Sequence, residues 1–407
     1  MSESPSIALV SHVDLNLARF RRTLMQMLLE DGWRVSAVVP RGRHAREIEE
    51  LGVDLLEYPA SREALAARGL GRHLQARAGL ARLFAGRRFD VVHSFTHLPN
   101  LLCRAALPWR RRPLLVNAVT GLGSGFLRPG LRGMALRMAL HQCYARSAAR
   151  CDAVLFQNED DHTYFTWRGL TGRALTQVVP GSGVDLTRFR PNLLSVEERR
   201  RRRAALGCTD RQVVAVMAAR LLFDKGIRET MLAAQALATA TPSLRLLVAG
   251  APDPGNPCSL TEADMQTFAG LGNVRFLGWQ EEMAQLWSLA DFAILPSYRE
   301  GVPVSMQEAL ACGVPVIVTD VPGCREIAAP RAEEVRAGRT LGEHALCVPA
   351  GQWPPLAEAM RRVAETPALR TSMAAAARRK AEEAFDARAL ARRTMDVYAA
   401  LLEGRRQ

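Results

Sequence analysis

Lysine is almost missing from this chain. Of 54 basic residues in 407, only Lys225 and Lys380 are lysine; arginine carries the rest of a formal charge of +13. A coding bias toward Arg and Ala accounts for much of that imbalance but not for its distribution. Between Asp90 and Asp152 there is no acidic residue, while Arg104, Arg110, Arg111, Arg112, Arg128, Arg132, Arg137, Arg146 and Arg150 all fall there. A region of one sign suits an anionic surface: membrane phospholipid, a polyanionic acceptor or nucleic acid. Nucleic acid fits worst. The basic residues are not interleaved with stacking aromatics, and no helix-turn-helix, zinc or RNA-binding signature occurs.

Other absences narrow the class. No apolar run approaches the ~20 residues that span a bilayer. The N-terminus, MSESPSIALVSHVDL, lacks the basic stretch and long apolar core of a signal peptide. The eight cysteines form no Cys-x-x-Cys pair or other metal spacing, so they read as buried, reduced thiols of a cytosolic protein. With 48% hydrophobic and 23% charged residues the composition is that of a soluble globular protein, and 407 residues exceed one ordinary core, which predicts two domains.

What is present is an alternation of short apolar runs with longer amphipathic ones, the pattern of α/β architecture with parallel sheets. In the first half Ile7–Val10, Val35–Val39, Asp54–Tyr58, Asp90–His93, Leu114–Val119, Ala153–Phe156 and Gln177–Val179 read as strands, with helices over Leu15–Glu30 and Ser61–Gly86. Asn192–Thr209, which holds the run Arg199–Arg203, reads as a solvated linker or linker helix. The alternation then restarts with Val213–Met217, Leu244–Val248, Val274–Phe276, Phe292–Leu295, Val314–Val318 and Ala345–Val348. The expected division is residues 1–190 and 191–387, two Rossmann-like domains facing across a cleft. Ligands of such folds lie at the carboxyl ends of the strands.

Those strand ends carry the chemistry. After Val213–Met217 come Arg220 and Lys225-Gly226, where a following helix should begin. Cations beside free helix N–H groups suit a diphosphate, and a lysine in so lysine-poor a chain is hard to dismiss as surface filler. Ala249–Gly255 and Phe276–Trp279 are strand-end loops that by themselves are ordinary punctuation. After Phe292–Leu295 the segment SYREGVPVSMQEAL places Glu300 and Gly301 in a loop, Pro303 at a helix start and Glu308 more than a turn into the helix. Roughly 7 Å of helix rise separates the two glutamates, too far for an adjacent acid/base dyad. They suit hydroxyls on two parts of one phosphorylated ligand. In the first half, His93 and His97 stand near a strand end where an acceptor could lie. Asp160 and Asp161 follow Asn158, where helix capping is the expected role.

Arg220…Lys225-Gly226, Glu300-x7-Glu308 and Val179-Pro-Gly-Ser-Gly183-Val-Asp185-Leu-Thr-Arg-Phe189 together resemble the retaining family-4 glycosyltransferases of the GT-B fold, over essentially the whole chain. The resemblance implies a nucleotide-sugar donor held by the second domain: Arg220 and Lys225 on the pyrophosphate, Glu308 on the ribose, Glu300 on the transferred sugar. Gly226 and backbone groups of Gly301, Val302, Pro303 and Val304 would line the pocket. It implies no metal and no cofactor, and no Asp-x-Asp pair occurs to carry a metal–diphosphate site. Thr96-His-Leu-Pro-Asn100, Thr120-Gly-Leu-Gly123, Gln157-Asn158 and Gly181–Asp185 are similar to bacterial transferases that extend polyprenyl-diphosphate-linked glycans, N-acetylgalactosaminyltransferases among them. From that subgroup follow a UDP-linked hexose or N-acetylhexosamine as donor and an acceptor side drawn from His93, Thr96, His97, Asn100, Thr120, Gly121 and Gly123. Two departures stand out: the subgroup commonly has Lys where His97 stands, and many family members carry a His where this chain has Thr120-Gly-Leu. GT-B members also suggest that residues 388–407 form a helix packing back on the first domain. The expected location is cytoplasmic, peripheral on an anionic membrane face, with Leu131, Met134, Met138 and Tyr144 set among arginines as at an interface. A transferase for a soluble acceptor, a GT-B-fold UDP-sugar 2-epimerase and a non-catalytic binding module are the alternatives.

Overall fold

The computed structural model describes residues 4–59, 70–109, 112–127, 130–253, 255–256, 258–328 and 343–406. Arg110, Arg111 and Arg128 of the basic stretch, and residues 61–69 of the expected second helix, lie outside the described residues.

The chain divides into two compact units, Met1–Gly183 with Ala387–Gln407, and Val184–Asp386. The division falls seven residues before the expected position 190. Val184 N–H donates to Phe385 O at 2.8 Å, so the segments entering and leaving the second unit pair side by side at one point.

The first unit is a seven-stranded parallel sheet of β1 (Ser6–Val10), β2 (Arg34–Val38), β3 (Asp54–Leu56), β4 (Val91–Phe95), β5 (Leu114–Val119), β6 (Ala153–Phe156) and β7 (Leu175–Val178). Its spatial order is β3-β2-β1-β4-β5-β6-β7. Every residue of β1, β4, β5 and β6 is buried, as expected where both faces of a parallel sheet are covered. One face packs Leu17, Met25 and Leu28 together with Met395 and Tyr398 of the C-terminal helix Ala387–Arg406. The other packs Leu102, Tyr144, Phe156 and Phe165. Arg388–Glu30 and Arg392–Asp31 ion pairs, both 2.8 Å, tie the C-terminal helix to the rim of the helix Arg22–Glu30.

The expected helix Leu15–Glu30 is two helices, Asp14–Phe20 and Arg22–Glu30, broken at Arg21 (φ −121°, ψ 8°). Arg21 turns inward, its guanidinium 4.6 Å from the centre of the Phe95 ring.

The second unit is a six-stranded parallel sheet: β8 (Val213–Ala218), β9 (Leu244–Ala249), β10 (Val274–Gly278), β11 (Phe292–Leu295), β12 (Val316–Thr319) and β13 (Ala345–Val348), in the order β10-β9-β8-β11-β12-β13. The supposed linker belongs to this unit. Val196–Ala205 is a helix capped by Ser195, whose Oγ accepts from Glu198 N–H. Its arginines are only in part a solvated face, with Arg200 and Arg201 exposed. Arg203 is buried, pairing with Asp291 at 2.8 Å and donating to Leu289 O, and Arg199 reaches the same carboxylate at 2.9 Å. The outer members are matched too, Arg200 by Asp210 and Arg201 by Glu198.

Candidate active site

In each sheet the winding reverses once, between β1 and β4 and between β8 and β11, and ligands of open α/β sheets sit outside the strand ends at such a reversal. In the second unit Arg220, Lys225 and Gly226 follow β8, and Glu300 follows β11, on the two sides of the reversal. They are brought together closely. Lys225 Nζ donates to Glu300 Oε1 at 2.5 Å, and Ser297 Oγ donates to the same oxygen at 2.6 Å. Both charged side chains are largely buried, 16% and 13% exposed, so neither is a freely solvated surface group.

Backbone geometry makes this approach possible. Gly226 has φ +73°, and a Cβ there would lie 2.1 Å from Pro296 O. Only glycine lets the β8 loop close onto the end of β11. Gly323, after β12, has φ +81° and would place a Cβ 2.3 Å from Gly301 O, so the next loop presses directly on Glu300-Gly301. Glu300 N–H donates to Pro322 O and Tyr298 N–H to Asp224 O, fixing the loop from both sides. Val304–Ala311 is a helix that starts after Pro303, and its first two N–H groups, of Val304 and Ser305, have no intrahelical acceptor. Val302 and Pro303 are themselves buried.

Glu308 lies on that helix, and Trp287 Nε1 donates to its Oε2 at 3.1 Å. Burial pushes the Glu308 carboxyl up to about 7, against the Trp287 hydrogen bond. Glu308 is thus separate from the Lys225–Glu300 pair, in keeping with two roles rather than one dyad. Arg220 is held by Asp253 at 2.6 Å.

Asp253 lies in the β9 loop that sequence reasoning passed over as punctuation; the one signal was an acid in an otherwise apolar strand-end loop. Ser297, Trp287 and Gly323 were also missed, because their roles are contacts to residues far away in sequence. Among the described residues no cluster of three or more His, Cys, Asp or Glu side chains could hold a metal ion.

The first unit splits the acceptor-side candidates. Thr96 has φ +73°, a strained conformation for a β-branched residue, and its Oγ1 lies 3.2 Å from His12 Nδ1. These two stand at the β1/β4 reversal. His12, not singled out from sequence, follows the end of β1. His97 Nδ1 lies 3.0 Å from Tyr144 Oη, and burial pushes its pKa down to about 4, so the ring is neutral at pH 7. Gly121 and Gly123 take φ +103° and +73° in the turn after β5 that begins at Thr120.

Asn100 is fully buried, accepting from Ser94 Oγ and donating to Ala118 O and Tyr144 Oη. Its amide is used inside the fold and positions the helix behind Thr96. His93 is a neighbour of neither His97 nor Asn100. Alternation along β4 puts it with Val91 and Phe95 on the opposite face, where its Nδ1 lies 2.5 Å from Tyr398 Oη. Tyr144, expected at an interface, is fully buried between His97 and Arg104. Asn158 caps the helix Glu159–Trp167 by accepting from Asp161 N–H.

Known proteins share this organisation. Residues 17–181 match the family model for the Glycosyl transferase 4-like domain, and residues 198–380 that for Glycosyl transferases group 1. The chain is 27% identical over 320 residues to the N,N'-diacetylbacillosaminyl-diphospho-undecaprenol alpha-1,3-N-acetylgalactosaminyltransferase of Campylobacter jejuni, which covers 79% of this chain and 82% of that one. Among solved structures, sucrose-phosphate synthase from Thermosynechococcus elongatus aligns with a TM-score of 0.78 at 20% identity, over 98% of this chain and all of that one. HepE from Anabaena, solved in complex with UDP-glucose, aligns at 0.74 and 18% identity, over 97% and 99%. With the two models matched in succession along a doubled Rossmann-like fold, the chain belongs to the group 1 glycosyltransferases of GT-B fold, with a glycosyltransferase 4-like first domain.

Proposed function

We propose that this glycosyltransferase moves a hexose or N-acetylhexosamine from a UDP-sugar to a polyprenyl-diphosphate-linked glycan, with retention of anomeric configuration. The observation that carries the reading is the Lys225–Glu300 pair at the sheet reversal, a cation and a carboxylate at one point, with the separate Glu308 carboxyl on the helix Val304–Ala311 that follows the Glu300 loop. Arg220 and Lys225 hold the diphosphate, Glu300 the transferred sugar and Glu308 the ribose. Gly226 and the backbone of Gly301, Val302, Pro303 and Val304 shape the pocket. The activity for which the Campylobacter relative is named supports the lipid-linked acceptor, and the UDP-glucose complex of HepE supports the donor.

In the reaction the bond from the anomeric carbon to the β-phosphate oxygen breaks. The acceptor oxygen bonds to that carbon on the same face, and its proton passes to the departing diphosphate. Negative charge grows on the diphosphate as the bond breaks, so cations fixed at Arg220 and Lys225 stabilise the transition state more than the ground state. On the first domain, Thr96, His97, Thr120, Gly121 and Gly123 are the proposed acceptor side, with His12 added.

Glu308 makes donor binding pH-dependent. A carboxyl at about 7 is about one-tenth ionised at pH 6 and nine-tenths at pH 8, so a ribose that requires the carboxylate binds roughly tenfold more weakly at pH 6. The sign for stability is opposite. With the folded value raised above the ordinary 4.5, the contribution is present below pH 4.5 and lost as pH rises through 7. Glu308→Gln, which still accepts from Trp287, is therefore expected to stabilise the unliganded protein at pH 8, by on the order of 3 kcal/mol, and to change little at pH 4.5. It should also flatten the pH dependence of UDP-sugar binding. Calorimetric titration of an intact UDP-sugar and thermal melts at several pH values check both.

The acceptor reading brings in the membrane surface. On the helix Gly130–Arg146, Leu131, Met134, Leu136 and Met138 are exposed, 78% and 58% for Leu131 and Met138, with Arg132 beside them. No helix among the described residues is long and apolar enough to cross a membrane. Apolar side chains set among arginines on one helix support docking on anionic lipid. The wild type is expected to float with phosphatidylglycerol vesicles, less so at high salt, and to elongate a lipid-linked acceptor faster there than in neutral vesicles. The exposed double substitution Leu131→Asp, Met138→Asp should abolish flotation without changing the melting temperature. Equal behaviour in neutral and anionic vesicles sinks the membrane claim.

A further inference from the structure

Arg21, at the break between the first two helices, is a buried guanidinium with no carboxylate in ion-pair distance among the described residues. One terminal nitrogen donates to Phe20 O at 3.1 Å, the group lies over the Phe95 ring, and its Nε has no acceptor. A charge desolvated in this way is costly unless something anionic meets it. Burial, opposed by the Tyr398 hydroxyl, lowers its pKa to about 10, which still leaves it charged at pH 7. Among the described residues the unit contains two other buried arginines, and they behave differently. Arg104 donates to Asn117, Tyr144 O and Ser147, and Arg150 to Leu107 O. Each leaves one nitrogen bare, but neither lines the cavity on which Arg21 opens.

That cavity, about 40 Å³, lies beside β4 and the C-terminal helix, with Arg21, His93, Phe95, Gln157, Ser182 and Thr394 in its wall. By the ~10–15 Å³ a single water requires, it has room for about three waters or one small anion. Among the described residues no carboxylate lines it. His93 contributes a second bare nitrogen: Nδ1 is engaged by Tyr398 Oη, while Nε2 is buried without a partner. Burial keeps this imidazole neutral. A buried guanidinium without a carboxylate and a neutral imidazole thus line one small cavity.

We propose that this cavity is an oxyanion site of the first domain, in which the Arg21 guanidinium, beside His93, holds a phosphate-class anion. It is separate from the donor diphosphate site, whose cations Arg220 and Lys225 belong to the other unit. It also accounts for two features left without purpose in the transfer reaction: the helix break that turns Arg21 inward, and a histidine facing away from Thr96 and His97.

The test uses the full chain carrying Arg220→Ala and Lys225→Ala, so that phosphate cannot report on the donor site. Inorganic phosphate, titrated against chloride at constant ionic strength, is expected to raise the melting temperature along a one-site saturation curve. A hexose 1-phosphate arm separates free phosphate from a phosphate ester: a free-anion site responds to the first alone, an ester site to both. Adding Arg21→Met should remove the response at either ligand. No phosphate response, or one unchanged by Arg21→Met, overturns the proposal and leaves only water in the cavity. Should Arg21→Met fail to fold, a crystal of the parent soaked in selenate decides. An anomalous peak within hydrogen-bond distance of the Arg21 guanidinium supports the site, and its absence overturns it.

Discussion

Lys225→Ala is expected to lower the transfer rate by about 10²–10³-fold, the usual cost of removing one fixed donor from a developing negative charge. The loss should fall mainly on kcat, since the charge on the leaving diphosphate grows in the transition state. The Lys225–Glu300 pair complicates the variant. With both side chains largely buried, deleting the ammonium leaves the Glu300 carboxylate with Ser297 Oγ as its remaining hydrogen-bond donor from a side chain. A stranded partly buried charge costs on the order of 3 kcal/mol, so Lys225→Ala should also melt at lower temperature. The double variant Lys225→Ala, Glu300→Gln separates the effects. It removes the stranded charge and is expected to recover most of the melting temperature while remaining inactive. Recovery of activity with stability would mean that Lys225 serves the fold and not the chemistry. Lys225→Ala with unchanged donor turnover would remove the diphosphate assignment.

Gly226→Ala should be worse than either. The added methyl would meet Pro296 O at 2.1 Å and would have to sit at φ +73°. The left-handed conformation costs about 1 kcal/mol or more, and the clash is with backbone, which cannot swing aside. The β8 loop must lift off the end of β11, carrying Lys225 away from Glu300. A loss of 4 kcal/mol or more is expected in chemical denaturation, with transfer below detection even where the protein remains folded. Gly52→Ala is a control of similar backbone angle (φ +83°) with no atom within 4 Å, and should show only the conformational cost. Similar losses at the two glycines would mean that the close approach at Pro296 is not what Gly226 provides.

Much of this site was legible because its parts sit at strand ends, and strands buried on both faces stand out as unbroken apolar runs such as Phe292–Leu295 and Val154–Phe156. Lys225 was conspicuous by the scarcity of lysine, and Glu300 and Glu308 by charge beside such a run. What could not be read were the partners that hold these residues. Asp253 grips Arg220 across a loop of no distinctive composition, and Gly323 matters only because of the loop it abuts. The helix at Arg199–Arg203 and its exposed members were legible, but not the inward ones, because charge density on a helix says nothing of acceptors elsewhere in the chain. Leu289 O and the Asp291 carboxylate, nearly ninety residues away, make Arg203 an internal brace. The break at Arg21 was invisible for the related reason that Leu15–Glu30 keeps a helical apolar period across it. His93 and His97 look equivalent in sequence, yet Thr96 bends the chain between them, and they project from opposite faces of the sheet.

The central claim is that Lys225, Glu300 and Glu308 serve a retaining transfer from a UDP-sugar. Proton NMR of the product tests it most directly, after incubation of the wild-type chain with α-linked UDP-hexoses and UDP-N-acetylhexosamines and a short-chain polyprenyl-diphosphate glycan. The account predicts a new α-glycosidic linkage on the acceptor from a UDP-sugar, formed by the wild type and not by Lys225→Ala. A β-linkage, or a donor epimerised at C2 with the acceptor untouched, would contradict it.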